Sequence, residues 1–296
     1  MKRSTLYSIV VLIVLAIATF LVMNREGEIS SSGSTGQMLV DYDSTAVDKL
    51  ELIAPSKKVV LEKQAGVWMI TSPINYRADQ TSVTSAVGKG RRIELKSLVS
   101  TNPENQKLFQ VDSTGTLVNV YTNGTLKAAF IVGKPSTSFT ENYVRLSGSN
   151  NVELTNEVIS SYFNKQPKDW RDKTVFKTEE STIKNVTFQY GDTTFSLTME
   201  DSLWRVGRDS ANQTAVKPLL NALASIQADD FIDTAFIPPT KPEAIISVEG
   251  TQIRFYKDGA SKYFVQTSQS PQWFEVQGWR TTNLLKRKKD LLPAAK

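Results

Sequence analysis

The side chains that could do chemistry in this chain are few in type. It has no cysteine and no histidine, which removes thiolate nucleophiles, disulfides, cysteine metal sites, the usual general base at neutral pH and the commonest transition-metal ligand. Carboxylates, hydroxyls and lysines remain. Asp229-Asp230 with Asp233 forms an acidic group, and paired carboxylates can run glycoside hydrolysis. Nothing around them marks a cleft, and solvated acids after a helix fit the pattern equally. Ser181-Thr182-Ile183-Lys184 has the Ser-x-x-Lys spacing that, on a helix, sets a lysine one turn from a nucleophilic serine. Here it runs into a β-type stretch, and the companion Ser-Asp-Asn and Lys-Thr-Gly motifs are missing. Gly133-Lys134 is followed by proline and has no glycine five residues before it, so it is not a phosphate-binding P-loop. No catalytic, cofactor-binding or metal-binding residue is assigned, and the chain is not expected to be an enzyme.

Other groups suit recognition rather than catalysis. Asp169-Trp170-Arg171-Asp172-Lys173 is a mixed-charge cluster, either a salt-bridged turn or a docking surface, and Trp170, Arg171, Asp172 and Lys173 are the candidate partner-binding residues. Trp68 and Trp204 could stack on sugars, but each closes an alternating apolar run and suits sheet packing better. Lys89-Gly90-Arg91-Arg92 and Lys286-Arg287-Lys288-Lys289 are short basic runs, suited to a solvated face or to a phosphate or lipid headgroup. Asn123, Asn185 and Asn212 lie in Asn-x-Thr sequons, a short pattern that carries little weight alone. The net charge of +5 is spread over the chain, without a nucleic-acid signature.

The elements that must position these residues come in two copies. Val47 to Ile70 overlies Ile183 to Val206 without a gap at a shift of 136, pairing Val47 with Ile183, Leu50 with Val186, Leu52 with Phe188, Val59 with Phe195, Leu61 with Leu197 and Trp68 with Trp204. Apolar meets apolar at period two, the spacing of one face of a strand. Strands are expected at Lys49 to Ile53, Lys57 to Lys63 and Val67 to Ile70, ending at Pro73. A helix is expected over Thr81 to Ser97, with Val83, Ala86, Val87 and Ile93 inward, although Gly88 and Gly90 each weaken it by about 1 kcal/mol. In the second copy Gln213 to Val216 aligns with Gln80 to Val83. Val216, Leu219, Leu220, Leu223 and Ile226 form a helical stripe, and Pro218 fits its first turn if Thr214 or a near neighbour is the N-cap.

Val120 to Gly124 is matched with Phe255 to Gly259, where Asn-Gly and Asp-Gly are strong hairpin signals. Strands Phe130 to Val132 and Tyr263 to Val265, then Tyr143 to Leu146 and Trp273 to Val276, complete the two sets. A short helix closes each copy, at Glu157 to Phe163 and Thr282 to Lys289. The fold class is therefore α+β with mostly antiparallel pairing, in two tandem sheet-plus-helix repeats over 43–176 and 177–296.

Ahead of the repeats, Lys2 and Arg3 precede Leu6 to Met23, a charge-free run of 18 residues. At about 1.5 Å per residue it covers roughly the hydrocarbon thickness of a bilayer. Ala16-Ile17-Ala18 would suit a cleaved signal peptide, but Phe20 to Met23 prolongs the apolar run in the manner of an uncleaved anchor. Residues 1–25 are thus expected to be a transmembrane anchor with a cytoplasmic N-terminus. Residues 26–42, which contain Ser30 to Gly36, are expected to be a flexible linker, with the bulk of the chain on the periplasmic side of a bacterial inner membrane.

This arrangement resembles the bacterial domain-of-unknown-function family DUF4340. The likeness is carried by Val59 to Lys63, Gly66 to Pro73, Ala78-Asp79, Phe130 to Lys134, Tyr143 to Arg145 and Arg171 to Lys173, over most of residues 45 to 175. It is weaker in the second copy, which has Gln266-Thr267-Ser268 in place of the Val-Gly-Lys step. The resemblance implies an extracytoplasmic, single-pass protein of the kind encoded beside ABC-type transport components linked to gliding motility, with no agreed catalytic residues. The expected function is an interaction or scaffold subunit of an envelope or transport complex, with the membrane and other proteins as partners and no cofactor. The alternative is a periplasmic glycan- or lipid-binding module that uses a cleft between the repeats.

Overall fold

In a computed structural model of the chain the described residues are 36–191, 193–233, 236, 237 and 239–293. The expected anchor, Leu6 to Met23, and most of the expected linker lie outside them. Among the described residues no helix is long and apolar enough to cross a membrane. The chain divides into two units, Met1–Asp172 and Lys173–Lys296, and the secondary structure of both is mostly antiparallel β with a few short helices.

The first unit opens with strands β1 (Lys49–Ala54), β2 (Lys57–Gln64), β3 (Val67–Ser72) and β4 (Tyr76–Arg77), followed by helix α1 (Gln80–Arg91) and β5 (Leu95–Ser100). Then come β6 (Thr116–Thr122), β7 (Thr125–Pro135), β8 (Asn142–Leu146), β9 (Val152–Thr155) and the single-turn α2 (Ser160–Phe163). The strands form one nine-stranded sheet in the order β4-β3-β2-β1-β6-β7-β8-β9-β5. Two runs of consecutive strands meet where β1 pairs with β6. Alternation decides which face is covered: Leu50 and Leu52 of β1 sit opposite Leu61 and Val59 of β2, and all four are buried. Val83, Ala86 and Val87 of α1 join the same core, with Phe130, Phe163 and Trp170.

The second unit begins with β10 (Thr174–Lys177). It continues with β11 (Asn185–Tyr190), β12 (Thr193–Glu200), β13 (Leu203–Val206) and β14 (Asp209–Ser210), then helix α3 (Gln213–Ala224). After it come β15 (Ser225–Gln227), β16 (Asp230–Ile232), β17 (Ala244–Val248), β18 (Thr251–Asp258), β19 (Lys262–Thr267), β20 (Ser270–Gln277) and α4 (Gly278–Thr281). β10 and β15 pair with each other, and the rest form a nine-stranded sheet in the order β14-β13-β12-β11-β17-β18-β19-β20-β16. The two sheets share one strand order. Val186 faces Leu197 and Phe188 faces Phe195, and both tryptophans, Trp68 and Trp204, are buried.

A glutamine at the start of each long helix makes the same three bonds in both units. Gln80 Oε1 accepts from Trp68 N at 2.8 Å, and its Nε2 donates to Trp68 O at 2.9 Å and to Ala78 O at 2.7 Å. Gln213 repeats this on Trp204 N at 3.2 Å, Trp204 O at 3.0 Å and Ala211 O at 2.9 Å. One side chain thus gives the tryptophan amide an acceptor and donates to two backbone carbonyls, one of which, that of the tryptophan, also accepts from Ala78 N or Ala211 N.

Several expectations are corrected. Residues 37–42, placed in the expected linker, are packed onto the first unit: Leu39 and Tyr42 are buried, and Leu39 N donates to Ile93 O and Leu95 N to Gln37 O, each at 2.8 Å. Tyr42 Oη donates to Val87 O at 2.7 Å, and a Cβ at Gly90 would collide with that hydroxyl. Gly90 therefore costs the helix some propensity and makes room for the tyrosine. Helix α1 stops at Arg91 rather than near Ser97, because Leu95–Ser100 is taken up as a strand beside β9. In α3 the N-cap is Asn212, so Pro218 falls inside the helix rather than in its first turn.

The closing helices also differ: α2 is one turn only, and 282–289 gives way to α4 upstream and a 3₁₀ turn at Lys288–Leu291. The expected match of the Asn123-Gly124 turn with Asp258-Gly259 differs from the strand order by one hairpin. Asn123-Gly124 joins β6 to β7, and its counterpart by strand order is Glu249-Gly250 between β17 and β18. Both turns place two consecutive residues at positive φ, the geometry of tight hairpin connections. The strand Ala244–Val248 ends in a turn without the Asn-Gly or Asp-Gly signature, so sequence pattern alone aligns Asn123-Gly124 with the next turn, Asp258-Gly259.

Candidate functional site

The residues singled out by type are mostly occupied within their own units. Trp170 is fully buried in the first unit's core, with Lys165 Nζ 4.9 Å from its ring centroid. Arg171 is 3 % exposed; its guanidinium lies over the Tyr76 ring at 4.3 Å. Asp172 pairs with Arg77 at 3.1 Å, and Lys173 Nζ donates to Asp229 O at 2.8 Å. Trp170 and Arg171 are thus buried within the first unit, and Asp172 and Lys173 each have a partner within their own unit.

Asp229 is used structurally. Its Oδ1 meets Arg280 Nε at 2.9 Å, and its Oδ2 accepts from Gln277 N at 2.8 Å, a different employment from that of a hydrolytic acid. Asp230 Oδ1 accepts from the Phe231 amide. Ser181 lies in a 3₁₀ turn, Glu180–Thr182, so its spacing to Lys184 places no lysine one α-turn away. The basic runs are partly paired: Lys89 with Glu157 at 2.8 Å, Lys288 with Asp209 at 3.9 Å, and Arg287 over the Tyr190 ring at 3.7 Å. Among the described residues no group of three or more acidic side chains is placed to hold a metal ion.

A site that no local spacing announced lies in the first unit. A groove of about 450 Å³ is bounded by Ser56 in the β1–β2 turn and Lys57 at the start of β2, by Gln110 and Thr114 to Thr116, by the end of β7 with Gly133 and Lys134, and by Ser160, Asn164 and Gln166. Its wall is built from backbone at close quarters. A Cβ on Gly133 would come within 2.7 Å of Val111 Cγ1 and closer still to the Phe109 carbonyl, and one on Gly115 would strike the Gln110 carbonyl. Segment 109–115 can therefore lie on the sheet only where glycine is beneath it.

The surrounding side chains pin that wall. Arg145 donates from Nε to Val111 O at 2.7 Å and from Nη1 to Ser149 O at 2.8 Å. Phe109 packs on Tyr143 with ring centroids 4.5 Å apart. Fully buried Asn142 donates from Nδ2 to Gly133 O at 3.1 Å, and its Oδ1 accepts from Ile159 N at 2.8 Å and Ser160 N at 3.1 Å. Next to it Glu141 accepts from Lys96 Nζ at 2.6 Å and from Ser136 and Ser138, each at 2.7 Å. Lys96 above all, then Ser138 and Ser136, hold the Glu141 carboxyl down at a pKa of about 2.

The groove's own charges are left over. Lys57 Nζ reaches only the Asn164 carbonyl, at 3.4 Å, and Lys134 Nζ sits 6.0 Å from the Phe109 ring centroid. Both lysines are half-buried, and none of the lining residues is acidic. Of these residues only Gly133 and Lys134 stood out in the sequence, as part of the stretch Phe130 to Lys134.

The second unit carries a smaller hollow of about 290 Å³ between the end of α3 and α4, lined by Ala222, Ile226, Val276, Trp279, Arg280 and Leu284 among others. Trp279 is 68 % exposed, and the Arg280 guanidinium stacks on it at 4.4 Å while held by Asp229. On the sheet face opposite the buried Phe255, Val265 and Phe274, half-buried Tyr256, Phe264 and Trp273 form a further aromatic group. Trp273 lies 5.1 Å from Tyr256 and 5.2 Å from Phe236.

The sequence profile of the family described as Domain of unknown function (DUF4340) matches residues 68–245, from Trp68 in β3 to Ile245 in β17. No curated protein and no solved structure is detectably similar to the chain.

Proposed function

The chain belongs to the DUF4340 family, and with that membership as premise we propose that it is an interaction protein rather than an enzyme, an accessory subunit of an envelope or ABC-type transport complex. In this reading Leu6 to Met23 tethers it to the inner membrane, and the two units stand on the extracytoplasmic side as copies of one ancestral sheet-plus-helix module. The shared strand order and the matching glutamine clamps support the duplication.

The observation that carries the interaction role is Trp279. A tryptophan stacked on an arginine that is itself ion-paired, left largely in solvent beside an apolar hollow, has the composition of an interface anchor. A protein partner that inserts a side chain into the hollow would bury the indole and keep Arg280 positioned by Asp229.

The test uses the full chain, extracted from membranes in mild detergent and purified through a C-terminal tag. A stoichiometric partner retained by the natural chain and lost from Trp279→Ala, with thermal stability unchanged, is the expected result. A chain that elutes alone under several mild detergents, or a partner held equally by the variant, would refute the assignment. Protease added to spheroplasts should digest the two units; protection of both would refute the topology.

A further inference from the structure

We propose that the groove of the first unit binds an oxyanion, the phosphate or carboxylate of a small polar ligand. This site is separate from the Trp279 surface and does not depend on it. Lys57 and Lys134 come from segments far apart in the chain, the start of β2 and the end of β7, and converge on one groove. Neither has an acidic partner among the described residues, and the groove they share has no acidic residue in its lining. Two ammonium groups at one groove with no carboxylate in its lining give it a positive potential, which favours a bound anion over an empty site.

The rest of the lining fits such a ligand. Ser56, Ser160, Asn164 and Gln166 also line the groove and bring hydroxyl and amide groups to it. A lysine is a point charge with rotatable donors, suited to phosphate or carboxylate alike, and hydroxyl and amide donors complete the shell around oxyanion oxygens. The volume of about 450 Å³ is that of a small-molecule site, too small for a folded partner. The wall does not need to be organised by the ligand. Gly115 and Gly133 bring the 109–115 segment onto the sheet, Arg145 holds it there, and Asn142 ties Gly133 to Ser160, so little ordering cost attends binding.

The experiment is isothermal titration of the full chain in a neutral detergent with inorganic phosphate, glycerol 3-phosphate, acetate and glycerophosphoglycerol, the deacylated headgroup of phosphatidylglycerol. Saturable binding of at least one probe is expected. It should weaken with added salt and fall at least tenfold in Lys57→Gln/Lys134→Gln, while Lys127→Gln, an exposed change on the same strand as Lys134, leaves it intact. Preference for the diester would identify a lipid or polymer headgroup as the source, and preference for a monoester or for acetate a free metabolite. The single variants Lys57→Gln and Lys134→Gln, each with its melting temperature checked, guard against misfolding of the double one. Absence of saturable binding by all four probes, or binding indifferent to both lysines, would overturn the proposal.

Discussion

Replacing Gln80 by alanine removes three hydrogen bonds at once, those to Trp68 N, Trp68 O and Ala78 O at 2.8, 2.9 and 2.7 Å. Trp68 O keeps a second donor in Ala78 N at 3.0 Å, so the loss falls chiefly on the Trp68 amide and the Ala78 carbonyl. At about 1 kcal/mol for each net bond, and more where a buried group is left without a partner, Gln80→Ala should destabilise the first unit by about 2 to 3 kcal/mol. Gln213→Ala removes the equivalent set in the second unit. There the bonds are 3.2, 3.0 and 2.9 Å long and the glutamine is exposed, so water replaces part of what is lost, and about 1 to 2 kcal/mol is expected. Gln80→Glu separates the roles: its carboxylate still accepts from Trp68 N but turns oxygen toward two carbonyls, so at neutral pH it should be worse than alanine and recover on acidification. Two units need not unfold together, so the readout is native-state hydrogen exchange resolved by unit, not one denaturation midpoint. A change below about 0.5 kcal/mol for Gln80→Ala, within the range of neutral surface substitutions, or an equal loss of protection in both units, would refute the clamp's role.

Further expectations concern the groove wall and the carboxylate beside it. Gly133→Ala should destabilise the first unit by about 1 to 3 kcal/mol, the usual cost of overpacking, and expose segment 103–115 to limited proteolysis; an unchanged melting temperature and cleavage pattern would show that the segment yields. Asp79→Ala removes the carboxylate that caps α1 through Ser82 N at 2.6 Å and should cost about 1 kcal/mol, read as a shift in the first unit's thermal midpoint. Glu141, with its pKa held down to about 2 against about 4.3 in an unfolded chain, contributes stability that is complete above pH about 4.3 and is lost as pH falls toward 2. Urea midpoints at pH 5 and pH 3 should therefore differ more for the natural chain than for Glu141→Gln, and equal differences would remove Glu141 from the account.

The opening meander of each unit was legible in the sequence because its cores alternate strictly. Every pair aligned at the shift of 136, from Val47 and Ile183 to Trp68 and Trp204, is buried. The later strands were harder for a physical reason. Asn-Gly and Asp-Gly mark a hairpin by residue type, whereas Glu249-Gly250 does not, so the strand Ala244–Val248 has no turn signal at its end and the later strands align one place out. Residues 37–42 read as linker by neighbourhood, although Leu39 and Tyr42 had the apolar bulk to pack. The groove could not be read at all, since Lys57, Lys134 and Ser160 share no spacing, and only the sheet brings them together. Nor does residue type distinguish Trp279 in solvent from Trp170 in the core.

The seam between β1 and β6 has a bearing on how the chain reaches its native state. Hairpin neighbours within each half-sheet meet soon after they are made, whereas Glu51 and Asn119 across the seam are 68 positions apart, and closing so long a loop is entropically slow. Each half-sheet should then exist transiently with an unpaired edge bearing Leu50 and Leu52 or Val118 and Val120, the surface on which misassembly starts. Val118→Ala should accordingly slow refolding of the first unit more than Val144→Ala, and equal refolding rates would place the rate-limiting event elsewhere.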